Sequence, residues 1–122
     1  MEKGARMRIE TYRFGCMVID GTSYSSDLII YPDGEILSSW WRQSGHSLVE
    51  DDITDLIKQK PAAIVVGTGA HGIMKPDQRL VSMLEEQKGV DFKAIPTGEA
   101  VEVFNRMVDE GRRVGGCFHL TC

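Results

Sequence analysis

The feature that most constrains the fold is an apolar run at residues 62–66 that leads into a glycine-rich loop at residues 67–72. A helical pattern of apolar residues follows this loop after a short interval. A strand, a glycine turn and a helix in this order are typical of α/β folds, and open α/β sheets commonly bind ligands at such turns. The sequence therefore indicates a location for a site, but it does not reveal a reaction.

The second half of the chain predicts three helices that alternate with three strands. Ser47 and Glu50 match a capping box at the start of the first helix. Pro76 suits the first turn of the second helix, and Thr97 can cap the third. The predicted strands are residues 62–66, 91–95 and 114–120.

The first third of the chain predicts antiparallel strands joined by tight turns. The apolar residues 16–19 run into Asp20-Gly21, a dipeptide that tolerates the positive φ angles of a hairpin turn. A second strand at residues 27–31 is followed by a returning strand at residues 35–42. Because hairpins form antiparallel pairs and βαβ crossovers form parallel ones, the combined pattern predicts an α/β fold with a mixed sheet, in which N-terminal β-hairpins precede an αβαβαβ segment.

Length and charge limit the architecture and the partners. The 122 residues fit a single domain, which we place at residues 8–122 after a flexible N-terminal segment at residues 1–7. The net charge of −4 and the lack of a basic stripe argue against a nucleic-acid partner. The sequence also lacks an apolar run of about 20 residues, so we expect no membrane span.

The cysteines and the N-terminus indicate the compartment. The three cysteines are an odd number, and residues 1–6 lack the apolar core of a secretory signal. We therefore expect reduced thiols in a cytoplasmic protein.

The glycine loop matches the spacing of a dinucleotide-binding fingerprint only formally. Residues 73–76 separate the loop from the next helix, whereas the fingerprint helix opens inside the glycine run. The acidic residue expected about 20 residues further on is also lacking, because Ile95-Pro96-Thr97 occupies the end of the next strand. We therefore expect a tight structural turn and no cofactor.

A small-anion site at this loop remains an open alternative. If the strands at 62–66 and 91–95 are parallel neighbours, their following loops lie side by side, with N–H groups facing one crevice. The candidate ligand-binding residues are Gly67, Thr68, Gly69 and Thr97, with His71 or Arg42 closing the crevice.

Cys117, His119 and Cys122 suggest either a metal site or a Cys–His catalytic pair. Zinc sites of this kind usually have a second ligand pair, which the sequence lacks, so we expect no metal. A catalytic pair needs an orienting third group that spacing alone does not reveal. We expect Cys117 to be a small buried thiol on the last strand.

Trp40 and Trp41 are the candidate interaction residues. Strand alternation would place the two indoles on opposite faces of the sheet, so that at least one requires cover from another layer or remains exposed. An exposed tryptophan beside an arginine is typical of interface anchors.

Several short motifs resemble the Mth-like domain family. They are Phe14-Gly15, Asp20-Gly21 and Tyr24 near the start, Val65 to Gly69, Pro96-Thr97, Glu99-Ala100, Phe104-Asn105, Glu110 to Val114, and the ending His119-Leu120-Thr121-Cys122. The family was long described as a domain of unknown function, and it includes the mitochondrial complex I assembly factor 3 and an adipogenesis-associated protein. The resemblance implies a three-layer α/β fold with a mixed central sheet, and it implies no established catalysis or catalytic residues.

Two functions follow as expectations. The first is a protein-interaction or assembly module without established catalysis, whose partner is another protein or a second copy of this chain. The alternative is an enzyme or sensor that binds an anionic metabolite at the glycine-loop crevice.

Overall fold

A computed structural model describes residues 8–122 of the chain, and the segment at residues 1–7 lies outside the described residues. The strands are β1 (Ile9–Arg13), β2 (Cys16–Ile19), β3 (Thr22–Tyr24), β4 (Leu28–Ile30), β5 (Ile36–Ser38), β6 (Ser47–Leu48), β7 (Ala63–Thr68), β8 (Lys75–Pro76), β9 (Asp91–Ile95) and β10 (Val114–His119). The helices are α1 (Thr54–Lys58), α2 (Gln78–Ser82) and α3 (Thr97–Asp109).

A five-stranded mixed sheet with the order β5-β4-β10-β7-β9 forms the centre of the fold. Strands β10, β7 and β9 are parallel, whereas β4 pairs antiparallel with β10 and β5 antiparallel with β4. The parallel pairing of β7 with β9, which the anion-site alternative assumed, is present, since Gly67 pairs with Ile95 at the carboxyl ends of the two strands. The loops that follow these two strands therefore lie at the same edge of the sheet.

Two hydrophobic cores cover the two faces of this sheet and confirm the three-layer α/β fold. On one face α3 and the small antiparallel sheet β1-β2-β3 pack together, with Phe104 edge-on to Phe118 at a centroid distance of 5.6 Å. On the other face α1 and α2 contribute Leu56 and Leu80. Both faces of the sheet are thus buried, which explains the continuous apolar runs in its central strands.

The predicted hairpin at Asp20-Gly21 joins β2 to β3. Asp20 has a φ of 50° and Gly21 a φ of 81°, the pair of positive angles that a type I′ turn requires. The register Ile19↔Thr22 confirms that these two residues alone form the connection.

The predicted strand at residues 35–42 ends earlier than alternation suggests. Strand β5 stops at Ser38, and Ser39 has a φ of 62°. The chain then turns back toward β4, where the Trp40 N–H donates to the carbonyl oxygen of Asp27 at 2.8 Å. As a result, Trp40 and Trp41 do not lie on opposite faces of a strand.

The predicted capping box of Ser47 and Glu50 is wrong. Ser47 lies in β6, which pairs with β8 over two residues and holds the segment in an extended conformation. The helical region starts after Val49, whose N–H donates to Asp52 Oδ2 at 2.9 Å, and a 3₁₀ turn at Glu50–Ile53 precedes α1. The pairing of β6 with β8 has thus outweighed the local capping-box pattern.

Within residues 8–122, every helix is too short or too polar to cross a lipid bilayer.

Candidate functional site

Asp27, Arg42 and His119 form a charged cluster at the carboxyl edge of the central sheet. His119 ends β10, Asp27 lies one residue before β4, and the antiparallel register Leu28↔Phe118 brings the two together. Asp27 Oδ2 lies 2.8 Å from His119 Nδ1 and 2.9 Å from Arg42 Nη1. The second oxygen, Oδ1, accepts the backbone N–H of Leu120 at 2.8 Å.

This geometry determines where the imidazole proton of His119 lies. The Asp27 carboxylate is an acceptor only, so His119 Nδ1 carries the hydrogen and donates it. Arg42 Nη2, which is 3.3 Å from the same nitrogen, is then a neighbouring donor and not a hydrogen-bond partner. In the neutral ring, His119 Nε2 is then the acceptor.

Two nitrogens of the cluster are buried without a partner. Among residues 8–122, neither His119 Nε2 nor Arg42 Nε finds a hydrogen-bond partner. The side chains of Arg42 and His119 are only 5% and 10% exposed. Since an unpaired buried polar atom is costly, these two nitrogens make the cluster a candidate site.

Arg42 also connects the cluster to the two tryptophans. Its guanidinium lies 4.6 Å from the ring centroid of Trp40, within cation–π distance. Trp40 is buried, and its indole N–H donates to the carbonyl oxygen of Asp52 at 2.9 Å. Trp41 lies between these two anchored residues and is 76% exposed.

Thr97 joins the glycine loop to β10. Its hydroxyl donates to the carbonyl oxygen of His119 at 2.7 Å and accepts the N–H of Gly69 at 2.9 Å. Thr97 is fully buried as the first residue of α3. The Thr97 hydroxyl was predicted to cap α3. It instead links the Gly69 N–H, just after β7, to the His119 carbonyl oxygen at the end of β10.

Gly67 and Gly69 are glycines because neighbouring atoms come too close for a side chain. A Cβ on Gly67 would lie 2.8 Å from Thr97 Oγ1. Gly69 has a φ of +106°, and a Cβ there would lie 2.8 Å from the carbonyl oxygen of Thr121 and 2.9 Å from His119 Cδ2. The inner side of the loop is therefore filled by the protein itself.

The backbone of the glycine loop is likewise bonded internally. The Ala70 N–H donates to the Thr121 carbonyl oxygen at 2.8 Å, and the Gly69 carbonyl oxygen accepts from both Gly72 and Thr97. Three of the predicted anion-binding residues, Gly67, Gly69 and Thr97, thus come together as expected, but their polar groups face one another.

A cleft of about 320 Å³ lies on the outer side of the same loop. Thr68, His71 and Lys75 contribute polar groups to its lining, and Met74, Ile95 and Pro96 contribute apolar surface. Thr68 and His71 were predicted to line a crevice here, whereas the cationic Lys75 was not. Arg42 was predicted to close the crevice, but it contacts His119 on the inner side.

Cys117 is a buried thiol within the second core. Burial raises its pKa above the ordinary value, and the positive charge of Arg42 opposes this shift only in part. A thiol held neutral in this way is a poor nucleophile and a poor metal ligand. Among residues 8–122, no three His, Cys, Asp or Glu side chains are arranged to hold a metal ion.

Asp27 is the site residue that sequence reasoning missed. It precedes an apolar strand and has no local motif with Arg42, which is 15 residues away, or with His119, which is 92 residues away. The one usable signal is the sheet topology, because antiparallel pairing of β4 with β10 places the start of one beside the end of the other.

Comparisons with known proteins give a consistent picture. A model of the family described as a protein of unknown function, DUF498/DUF598, matches residues 9–119. The chain is 27% identical to the solved structure named MT938, with a TM-score of 0.79 and coverage of 95% of this chain and 99% of that chain.

Two further solved structures have the same fold. A conserved hypothetical protein from Pyrococcus horikoshii OT3 is 26% identical, with a TM-score of 0.82 and coverage of 95% of this chain and 100% of the other. A Bordetella pertussis protein described as an Mth938-like domain is 19% identical, with a TM-score of 0.63 and coverage of 98% and 89%. These matches confirm the resemblance that was inferred from the sequence.

Proposed function

We propose that this chain, which belongs to the DUF498/DUF598 family of proteins of unknown function and has an Mth938-like domain, is a protein-interaction or assembly module of the cytoplasm without established catalysis. Its docking surface is what we call the carboxyl-edge face. We assign to this face the exposed apolar residues Phe14, Trp41 and Ile73, together with the cluster of Asp27, Arg42 and His119.

The observation that carries the proposal is that the Trp41 side chain is exposed while the side chains of its two neighbours are held in place. The Trp41 side chain is 76% exposed, whereas Trp40 is buried and Arg42 is held by Asp27. An exposed indole on a backbone fixed at both sides loses little conformational entropy on binding. Tryptophans in such positions are enriched among the residues that dominate binding energy.

Two further exposed apolar side chains lie at the same edge of the sheet. Phe14 is 59% exposed, and the N–H of the following Gly15 donates to the Leu120 carbonyl oxygen. Ile73 is 44% exposed and adjoins Met74, whose N–H donates to the carbonyl oxygen of Thr68. Exposed apolar side chains grouped at one edge are typical of protein-binding surfaces.

The chemistry at this edge also favours binding over turnover. A Cys–His catalytic pair, the alternative considered for Cys117 and His119, would need a thiolate at Cys117, but burial keeps that thiol protonated. The glycine-loop N–H groups that could stabilise an oxyanion are used by Thr97 and Thr121 instead. Asp27 orients His119, yet among residues 8–122 no nucleophile is hydrogen-bonded to His119 Nε2.

The test is affinity capture from a native lysate, with Trp41→Ala compared with the wild-type chain by quantitative mass spectrometry. Leu37→Ala is the matched control, because Leu37 is also an exposed apolar residue, at 42%, and lies on the edge strand β5. We expect a partner that Trp41→Ala loses and Leu37→Ala retains. Equal retention by all three proteins would refute the proposal.

Self-association is measured in parallel, because the partner can be a second copy of the chain. Sedimentation or light scattering on the wild-type protein and on Trp41→Ala gives the mass of each. A dimer that Trp41→Ala dissociates and Leu37→Ala preserves would identify the carboxyl-edge face as its interface.

A second candidate function is binding of an anionic metabolite in the cleft beside the glycine loop. The observation in its favour is the convergence of His71, Lys75 and the Thr68 hydroxyl on a space of about 320 Å³. Titration with phosphate, sulfate and nucleotides, followed by NMR, tests this function. Saturable shifts at these residues that Lys75→Met abolishes would support it, and shifts confined to other regions would exclude it.

A further inference from the structure

A second cleft lies at the opposite edge of the central sheet, where β7 and β9 begin. Its volume is about 300 Å³, and Ile57, Pro61, Leu84 and Val90 form its apolar lining. Lys60 and Lys88 complete the lining, and both are exposed residues. This combination of an apolar cleft with two cationic groups is independent of the carboxyl-edge face.

Local backbone features shape the cleft. Lys60 has a φ of 54°, which ends the region of α1 and turns the chain into Pro61 and β7. On the other side, a π-helical turn at Met83–Gln87 closes with a bond from the Lys88 N–H to the Met83 carbonyl oxygen at 3.1 Å. The wider turn leaves Leu84 fully buried while Lys88 stays exposed, and such turns are frequent at functional sites.

The two charged residues that line the cleft are both cationic, whereas the whole chain has a net negative charge. The chain has a net charge of −4, yet two lysines from two different connections line this cleft. Within residues 8–122 neither lysine forms an ion pair, in contrast with Lys93, which lies 3.6 Å from Asp91. Arg113 adds a third cation nearby, since its guanidinium donates to the carbonyl oxygen of Gln59.

We propose that this cleft docks an acidic peptide segment of a partner protein, with one or two apolar anchor side chains flanked by carboxylates. The apolar floor of Leu84 and Val90 accepts the anchor, and the size of the cleft limits that anchor to one or two side chains. Lys60 and Lys88 belong to separate connections, so they match two carboxylates on either side of an anchor better than a single acidic head group. The peptide gains most of its specificity from charge complementarity.

The test titrates the full ¹⁵N-labelled chain with a synthetic peptide that has leucine and phenylalanine at its centre and glutamates on both sides. We expect saturable NMR shifts at Ile57, Leu84 and Val90. Lys60→Glu and Lys88→Glu should each weaken binding roughly tenfold. Lys58→Glu is the matched control, because Lys58 is an exposed lysine of α1 outside the cleft lining and should leave the affinity unchanged.

Comparison probes separate the proposal from simpler explanations. A peptide with serines in place of the leucine and phenylalanine, or with lysines in place of the glutamates, should fail to bind. The Trp41→Ala variant should bind the acidic peptide with the affinity of the wild-type chain. Loss of peptide binding at this cleft is therefore distinguishable from loss of partner binding at the carboxyl-edge face. Equal weakening by Lys58→Glu, or saturable shifts from octanoate without any from the peptide, would overturn the proposal.

Discussion

The carboxylate of Asp27 and the imidazole of His119 lie 2.8 Å apart, although 92 residues separate them in sequence. This bond joins the start of β4 to the end of β10, and it fixes the orientation of the imidazole ring. Arg42, on a different connection, binds the same carboxylate oxygen at 2.9 Å. One carboxylate thus holds together three segments of the carboxyl-edge face.

We expect Asp27→Asn to destabilise the fold by about 3 kcal/mol. The substitution leaves the guanidinium of Arg42 buried without its counter-charge, at 5% side-chain exposure, and places an amide against His119. Urea unfolding measures the change. The control is Asp109→Asn, because Asp109 forms an ion pair of similar length, 2.7 Å, with Arg8 at an exposed position. Its loss should cost at most about 1 kcal/mol, and equal costs for the two variants would contradict the importance of the buried cluster.

Gly67→Ala should destabilise the protein by roughly 1–3 kcal/mol through overpacking. Its methyl group would lie 2.8 Å from Thr97 Oγ1 and 3.0 Å from Phe118 Cδ1, so Thr97 could not keep both of its hydrogen bonds. Gly98→Ala is the matched control, since a Cβ there meets nothing within 4 Å. Thermal unfolding of both variants tests this expectation, which fails if Gly67→Ala is as stable as Gly98→Ala.

The three cysteines should differ sharply in reactivity. Cys122 is exposed and Cys16 is half-buried, whereas burial holds the pKa of Cys117 above its ordinary value of 9.0. We expect iodoacetamide at pH 8 to label Cys122 first and Cys117 only after denaturation, as read by mass spectrometry. Rapid labelling of Cys117 in the native protein would contradict its assignment to the core.

The same shift in the pKa of Cys117 has a consequence for stability. Above the ordinary thiol pKa of 9.0, the unfolded chain releases the Cys117 proton while the folded chain retains it. The folded state then binds more protons than the unfolded state, so the free energy of unfolding should fall as the pH rises above 9. Cys117→Ser, compared with the wild type across this range, isolates the contribution of the thiol.

Regions with a strong local pattern were predictable from the sequence. The Asp20-Gly21 turn, strand β7 and strand β9 all follow from residues close in sequence. Each depends on turn chemistry or on a run of apolar residues, which a single sequence displays directly. The three-layer architecture needed the family resemblance in addition.

Features that depend on distant pairing were not predictable. The pairing of β6 with β8 converted an apparent capping box into an extended segment, and Ser39 ended β5 before the tryptophans. Asp27 carried no local sign of its bond to His119. In each case, the deciding contact joins residues that are far apart in sequence, and the local periodicity of apolar residues does not indicate such a contact.

The last prediction separates the roles of the two adjacent tryptophans. Trp40 is 6% exposed, donates its indole N–H to the carbonyl oxygen of Asp52 and lies under the Arg42 guanidinium, so Trp40→Ala should cost about 3–5 kcal/mol. Trp41 is 76% exposed, so Trp41→Ala should change the free energy of unfolding by less than about 0.5 kcal/mol. Urea unfolding of the two variants side by side provides the measurement.

If Trp41→Ala destabilises the protein as much as Trp40→Ala, Trp41 is a structural residue. Loss of partner binding by the Trp41→Ala variant would then result from unfolding. If only Trp40→Ala destabilises it, any partner lost by Trp41→Ala is lost from a folded surface.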